Sequence, residues 1–316
     1  MQISGGVTLS GGVNLAPGSG GSSGGVSHGY TSGGTTPSGH INTIQKFPFA
    51  SDGNATDVGD LTVARTAPAG QSSSVSGYTS GGVTSSTHYN IIDKFPFSSD
   101  ANATDVGDLT VFIYGSSGQS STTSGYASGG FLGYSFNPAF SNVINKFPFS
   151  SDSNATDVGD LTADRYDLTG QSSSTNGYSS GGYDNAYLNI IDKFPFASDG
   201  NATDVGDLTV GRMRAAGQSS SSSGYSSGGY DTTILNIIDK FPFASDGNAT
   251  DVGDLTFARS NSAGQSSSAS GYSSGGRLDP STVYNIIDKF PFASDDNATD
   301  VGDLLEVTLH GAGQQG

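Results

Sequence analysis

Short apolar runs alternate along the chain with stretches rich in Gly, Ser, Asn and Asp, and their order repeats six times. The string KFPF marks the repeat, and successive copies of its lysine are 47 to 52 residues apart. The six anchors are Lys46, Lys94, Lys146, Lys193, Lys240 and Lys289. Repeats of about 48 residues have the length of one β-propeller blade, whereas solenoid repeats are commonly shorter.

The second repeat predicts four short strands, a to d, at residues 71–76, 78–82, 90–97 and 106–111. Gly77 is expected in the turn between strands a and b. A Gly/Asn/Asp-rich turn precedes strand d, as is typical of tight turns. Small residues in strand a suit the crowded centre of a propeller. Large residues of strands c and d are expected to fill the space between blades: Ile91, Ile92, Phe95, Phe97 and Leu109.

Six such units predict an all-β fold, a six-bladed β-propeller with four-stranded antiparallel blades over residues 22–316. The sixth copy departs from the pattern after Asp303, and residues 22–30 resemble the QSSSxSGY of other copies. We therefore expect the N-terminal strands to meet the C-terminal blade and close the ring. A linear array of hairpins and a trimeric β-repeat fibre are the alternatives, but the chain shows no altered capping repeat.

Residues 1–21 form a separate Gly-rich segment. Apolar residues alternate there with Gly, Ser, Thr and Asn, which suits a strand added to the sheet edge of another protein. The segment is thus expected to dock into a partner through Ile3, Val7, Leu9, Val13 and Leu15.

The composition excludes several classes of function. The net charge is −17, which opposes binding to nucleic acid, and the absence of Cys excludes disulfides and thiolate chemistry. No stretch approaches the roughly 20 apolar residues of a membrane-spanning helix, so we expect no membrane insertion.

The repeat resembles the kelch unit. Its tyrosine is followed by a Gly-Gly pair, Ile92-Asp93 forms an aliphatic–acid step, and Arg65, Arg212 and Arg259 lead towards the next strand a. Whole units, NIIDKFPFASDGNATDVGDLTVAR and AGQSSSxSGYxSGG, resemble repeats in structural proteins of marine tailed phages of cyanobacteria. This resemblance implies a virion protein, a tail or capsid fibre or decoration, assembled in the host cytoplasm. It also implies contacts with other virion proteins and with a host surface glycan or receptor.

The turn SDGNATDVGDL recurs in every copy and carries Asp52, Asn54, Asp57 and Asp60 in the first. Their spacing overlaps that of calcium loops in integrin-type propellers. The favoured interpretation is structural: Asn54 and Asp57 cap backbone amides, and Asp60 pairs with Lys or backbone donors of a neighbouring blade. We therefore expect no cofactor, with calcium as the alternative.

No catalytic constellation is visible, which favours a non-enzymatic protein. The histidines fall at unrelated phases of the repeat and are expected in exposed loops: His28, His40, His88 and His310. The arginines scatter too widely to suggest a sialidase cluster: Arg65, Arg165, Arg212, Arg214, Arg259 and Arg277. A propeller enzyme acting on glycans and a bacterial surface adhesin are the alternative functions.

The copies differ mainly in the b–c loops and in the connections from strand d to the next strand a. In a four-stranded meander both emerge on one face, called the divergent face below; the a–b and c–d turns form the constant face. Rigid scaffolds commonly use variable loops and aromatic anchors for recognition. The predicted binding residues are Phe131, Tyr134, Phe136, Phe140, Tyr183, Tyr187, Tyr230 and Tyr284.

Overall fold

The computed structural model describes residues 26–133 and 139–316. Within these ranges the chain forms six four-stranded antiparallel sheets. Each innermost strand contacts the innermost strands of both neighbouring sheets, so the sheets surround one axis as blades. The prediction of a six-bladed β-propeller is confirmed.

The first blade combines the two ends of the described chain. It contains β1 (His28–Thr36), β2 (Gly39–Pro48) and β3 (Thr56–Asp60), and its innermost strand is β24 (Ala312–Gln315). Each other blade uses four consecutive strands. In chain order these are β4 (Ala69–Ser72), β5 (Ser76–Ser80), β6 (Ile91–Pro96), β7 (Thr104–Asp108); β8 (Ser117–Ser120), β9 (Ser124–Phe131), β10 (Phe140–Pro148), β11 (Thr156–Asp160); β12 (Thr169–Ser172), β13 (Asn176–Ser180), β14 (Ile190–Pro195), β15 (Thr203–Asp207); β16 (Ala216–Ser219), β17 (Ser223–Ser227), β18 (Ile237–Pro242), β19 (Thr250–Asp254); β20 (Ala263–Ser266), β21 (Ser270–Ser274), β22 (Ile286–Pro291) and β23 (Thr299–Asp303).

Ring closure occurs as predicted, but the two termini contribute different strands from those expected. β1 pairs antiparallel with β24, and Tyr30 lies opposite Gln314. The C-terminus supplies strand a, because Gly313-Gln314 repeats the Gly-Gln of strand a in the other blades. The described N-terminal part therefore begins with strand b. Residues 22–25, which resemble part of strand a, lie outside the described residues.

Strands a, b and d of the second blade begin two residues earlier than the pattern predicted. The reason is the turn between strands a and b. Ser73 Oγ accepts hydrogen bonds from the amides of Val75 and Ser76 at 3.3 and 3.0 Å, so the chain reverses before Gly77. Gly77 instead lies within β5 beneath the ring of Phe95, where a Cβ atom would be 2.3 Å from Cζ.

Aromatic and aliphatic side chains fill the space between adjacent blades, as expected. Phe95 of the second blade packs 5.5 Å from Tyr30 of the first, between ring centroids. Ile92, Phe95 and Leu109 are buried, while Ile91 and Phe97 are half-buried. Each blade alone has little apolar area, and packing on two neighbours supplies the remainder.

Glutamine side chains of strand a join each blade to the next. Gln71 Nε2 donates to Ser80 Oγ in its own blade and to the carbonyl oxygen of Tyr126 in the next blade, at 2.9 and 3.0 Å. The same bond to the next blade is made by Gln119, Gln171, Gln218, Gln265 and Gln314. These polar contacts close around the whole ring.

Four buried ion pairs link the d–a connections to strand c. Arg65 Nη1 lies 2.8 Å from Asp93 Oδ2, and both side chains are fully buried. The other three pairs are Arg165–Asp192, Arg212–Asp239 and Arg259–Asp288. The remaining two blades carry uncharged residues at both positions. These are Ile113 with Asn145, and Thr308 with Gln45.

Six glycines bring the innermost strands into backbone contact. These are Gly70, Gly118, Gly170, Gly217, Gly264 and Gly313. A Cβ atom on Gly170 would lie 2.1 Å from the carbonyl oxygen of Gly118, and each of the others meets the preceding blade in the same way. The expectation of small residues at the centre is therefore confirmed.

Candidate functional site

The constant face is held together by contacts between blades. Lys46 Nζ lies 2.6 Å from Asp100 Oδ1 of the next c–d turn. Five further pairs complete this ring: Lys94–Asp152, Lys146–Asp199, Lys193–Asp246, Lys240–Asp295 and Lys289–Asp52. Exposed pairs of this kind each add little stability, so the ring mainly fixes the positions of the turns.

The polar residues of the first c–d turn have different partners from one another. Asn54 Oδ1 accepts from the amide of Asp303 in the preceding blade, and Asp57 Oδ1 accepts from the amide of Gly59. The predicted capping roles of Asn54 and Asp57 are thus confirmed. Of the two partners predicted for Asp60, the lysine is wrong, since Lys289 bonds to Asp52. A backbone donor of the neighbouring blade is present, because the amide of Ala103 donates to the carbonyl oxygen of Asp60 at 2.8 Å.

Metal-ligating side chains do not converge in the described part of the chain: no group of three His, Cys, Asp or Glu is placed to hold an ion. In the first turn, Asp52 bonds to Lys289, Asn54 to the amide of Asp303 and Asp57 to the amide of Gly59. The expectation that the chain binds no cofactor, with calcium as the alternative, stays a prediction.

The divergent face is built from three equivalent positions in every blade. A residue of the d–a connection pairs with the residue that follows the Gly-Gly pair, as in Tyr114 with Phe131 and Ser260 with Arg277. The corresponding pairs elsewhere are Leu309–Thr35, Thr66–Val83, Tyr166–Tyr183 and Met213–Tyr230. These bridges confirm that the two variable segments lie side by side.

The third position is the residue that follows the bridged residue of each d–a connection. Its six copies form a closed ring around the axis, called the axial ring below. Its members are Ala67, Gly115, Asp167, Arg214, Asn261 and His310, and all six have a left-handed φ between 53 and 64°. Each amide donates to the carbonyl oxygen of the preceding member, and Ala67 N donates to His310 O at 2.9 Å. Left-handed conformations are costly for most residues, and here the ring of hydrogen bonds maintains them. Six different side chains are thus presented by one symmetric backbone.

Above this axial ring lies a cavity of about 410 Å³ to which all six blades contribute. Tyr114 and Tyr166 line it on the third and fourth blades, and Arg277 lines it on the sixth. Its other lining residues are Thr35, Thr66, Ala67, Val83, Asp167, Arg214, Leu309 and His310. The volume is within the usual range of small-molecule sites.

The cavity carries the two arginines of the described residues that take part in neither set of repeated ion pairs. All six lysines join the constant-face ring, and four arginines form the buried pairs described above. Arg214 and Arg277 remain. Arg214 Nε lies 2.7 Å from Asp167 Oδ2, whereas Arg277 forms no salt bridge with any described carboxylate. A chain of charge −17 therefore concentrates two arginines at one cavity.

Burial and these charges shift the pKa values of groups in and around the cavity. Burial, and then the charges of Arg214 and Arg277, lower the pKa of His310 to about 3. Burial also lowers the pKa of Arg277, with a smaller contribution from Arg214. Burial raises the pKa of Asp167, and Arg214 opposes that shift. His310 is therefore neutral near pH 7 and adds no charge to the cavity.

The lowered pKa of His310 predicts acid sensitivity. The unfolded chain takes up a proton near pH 6.5 and the folded chain does not until about pH 3, so stability falls as pH drops through this window. We expect His310→Asn, which copies Asn261 of the preceding blade, to flatten that loss by up to about 1.4 kcal/mol per pH unit. Urea unfolding of both proteins between pH 7.5 and 5 measures it. Parallel pH profiles would contradict the assignment.

The aromatic residues of the divergent face form a connected arc. Phe131 contacts Phe140 and Tyr114, and Phe140 stacks on Tyr166 with centroids 5.2 Å apart. Tyr183 continues the arc from Tyr166. Tyr187 then links Tyr183 to Tyr230. Tyr284 lies apart from this arc and stacks on Phe257. Tyr134 and Phe136 fall outside the described residues, as does the docking segment at residues 1–21.

Two sequence-based expectations about the site need correction, and two of its residues were missed. The histidines are half-buried rather than exposed, and His310 lines the cavity. The arginines do not all lie apart, because the ring brings Arg214 and Arg277 to the same cavity. Tyr114 and Tyr166 were not singled out, although they lie within the variable connections. Aligning the copies on the Gly of strand a would have shown that the residue four positions earlier is Tyr only in the third and fourth blades, and that the residue three positions earlier differs in every blade.

The described residues thus define a six-bladed β-propeller with an axial cavity on its divergent face. They contain no helix of the length and apolarity needed to cross a membrane. No family model matches the chain, and no curated protein sequence matches it.

Proposed function

We propose that the chain is a non-enzymatic binding module whose ligand site is the divergent face, centred on the axial cavity. The observation that carries this proposal is which positions keep the same residue in all six blades and which positions do not. Residues that build the ring recur in each copy, while the three positions around the axis carry different side chains in nearly every blade. A rigid scaffold with variable residues at one end is the usual arrangement of a recognition surface.

The chemistry of the cavity favours binding over glycan hydrolysis. Most glycosidases use two carboxyl groups on opposite sides of the scissile bond. Among the lining residues only Asp167 has a carboxylate, and Arg214 holds it at 2.7 Å. Incubating the protein with a glycan that it binds, and examining the glycan by mass spectrometry, tests this point. Release of shortened or modified glycan would establish an enzyme.

We place this module on a phage particle, where it contacts a host surface or neighbouring virion subunits. The support is the resemblance of the repeated units to virion proteins, together with residues 1–21, whose alternating pattern suits docking into a partner. Mass spectrometry of purified particles tests the location. Finding the chain only in bacterial cell envelopes would favour an adhesin.

Attachment is expected to depend on the aromatic arc. Phe136→Ser with Phe140→Ser should leave the fold intact, because Phe140 is the half-buried first residue of β10 and lies outside the hydrophobic clusters between the blades. The double substitution should weaken binding to host cells at least tenfold. Val75→Ser is the control, since Val75 is 65 % exposed in an a–b turn of the constant face. Binding of fluorescently labelled protein to a panel of marine bacteria gives the readout. Equal loss with Val75→Ser, or no loss with the Phe variant, would contradict this prediction.

A further inference from the structure

The axial cavity places two arginines and an aromatic wall around one opening. In the ring order of the blades, Arg277 on the sixth blade lies across the axis from Tyr114 on the third. Arg214 lies on the fifth blade and Tyr166 on the fourth. A ligand on the axis would therefore meet positive charge on one side and aromatic rings on the other.

Arg277 requires an explanation that the fold does not supply. Its position in the other blades is occupied by Thr35, Val83, Phe131, Tyr183 and Tyr230, so the backbone bridges there do not need an arginine. Burial and the nearby charge of Arg214 both disfavour a cation at this point. An anion located between the two arginines would relieve both costs.

The neighbouring groups indicate the kind of anion. Asp167 is 6 % exposed and remains paired with Arg214, so a doubly charged phosphate would face a buried carboxylate at close range. A carboxylate carries one charge and matches the planar donor pair of a guanidinium.

Aromatic side chains in the cavity indicate what carries the charge. Tyr114 and Tyr166 line the cavity on adjacent blades. The apolar face of a sugar ring can pack on both rings.

We propose that the axial cavity binds the carboxylate-bearing sugar of an acidic saccharide, with Arg277 and Arg214 holding the carboxylate and Tyr114 and Tyr166 packing on the ring. This inference rests on the proposed binding function and names its ligand class.

The test uses the full chain on an array of uronate-bearing and sialate-bearing saccharides. Each is printed beside its carboxyl-reduced counterpart, and phosphorylated saccharides and acidic peptides are included. We expect binding to an acidic saccharide at least tenfold tighter than to its reduced counterpart. Arg277→Thr, which copies Thr35 of the first blade, should remove that preference. Leu278→Ser, at an exposed neighbouring position, should retain it.

The outcomes separate this inference from the function on which it rests. One outcome is that the acidic and reduced saccharides bind equally and that the Phe136→Ser, Phe140→Ser variant binds neither. This outcome would overturn the assignment of a carboxylate ligand and leave the divergent face as the binding site. Preference for phosphorylated saccharides or acidic peptides would overturn the saccharide assignment. Binding that no divergent-face substitution affects would overturn both proposals. The second expected result is that adding the saccharide raises the pKa of His310, which an NMR titration measures.

Discussion

Replacing Arg65 with Ile is expected to lower the free energy of unfolding by about 3–5 kcal/mol, because Asp93 is left as an unpaired buried charge. Asp93→Asn alone should have a similar cost, since the guanidinium then loses its counterion. Combining the two substitutions should reduce the loss to less than about 2 kcal/mol. The double variant would thus be more stable than either single variant.

The third blade shows why the double substitution is tolerated. Ile113 and Asn145 occupy the same two positions there, and both are fully buried. Asn145 Oδ1 accepts from the amide and hydroxyl of Thr110, just as Asp93 accepts from the amide and hydroxyl of Thr62. The carbonyl oxygens of Gly81 and Thr79 lose their bonds from Arg65, which accounts for the remaining cost.

Urea unfolding of the wild type, both single variants and the double variant completes a double-mutant cycle. Additive losses would show that the pair is not coupled and would contradict the proposed role of these residues.

Gly170→Ala is expected to have the larger effect of two glycine substitutions. The new Cβ would lie 2.1 Å from the carbonyl oxygen of Gly118, and backbone atoms on both strands would have to move. Because the six innermost strands form a closed ring, movement of one pair opens contacts between the others. We expect a loss of more than about 4 kcal/mol, at the upper end of single substitutions, or failure to form a stable ring.

Gly200→Ala is the matched control. A Cβ there meets nothing within 4 Å, and the second repeat already carries Ala101 at that position of the c–d turn. Its effect should be within about 0.5 kcal/mol. Size-exclusion chromatography and thermal unfolding compare the two variants. Similar behaviour of Gly170→Ala and Gly200→Ala would show that close strand approach at the axis does not limit the fold.

The repeat period and the strand count could be predicted because they depend on local pattern. The same holds for the large residues between blades, since Ile92, Phe95 and Leu109 are buried as expected. The strand ends were less accurate. Whether Ser73 or Gly77 forms the a–b turn depends on which side chain bonds to the backbone, and Gly and Ser are both common turn residues.

The candidate site was harder to predict because it depends on closure of the ring. Arg214 and Arg277 are 63 positions apart and look unrelated along the chain. They meet only because successive blades surround one axis. The left-handed ring of Ala67 and its equivalents has no sequence signature, since five of the six members are not glycine.

Amide hydrogen exchange measures most directly whether the divergent face binds the ligand. The experiment compares the full chain alone with the chain bound to the acidic saccharide that the array ranks highest. We predict new protection in residues 66–68, 114–117, 166–169, 213–216, 260–263 and 309–311, and unchanged exchange in the c–d turns. Protection confined to the c–d turns, with no change around the axial ring, would contradict the account.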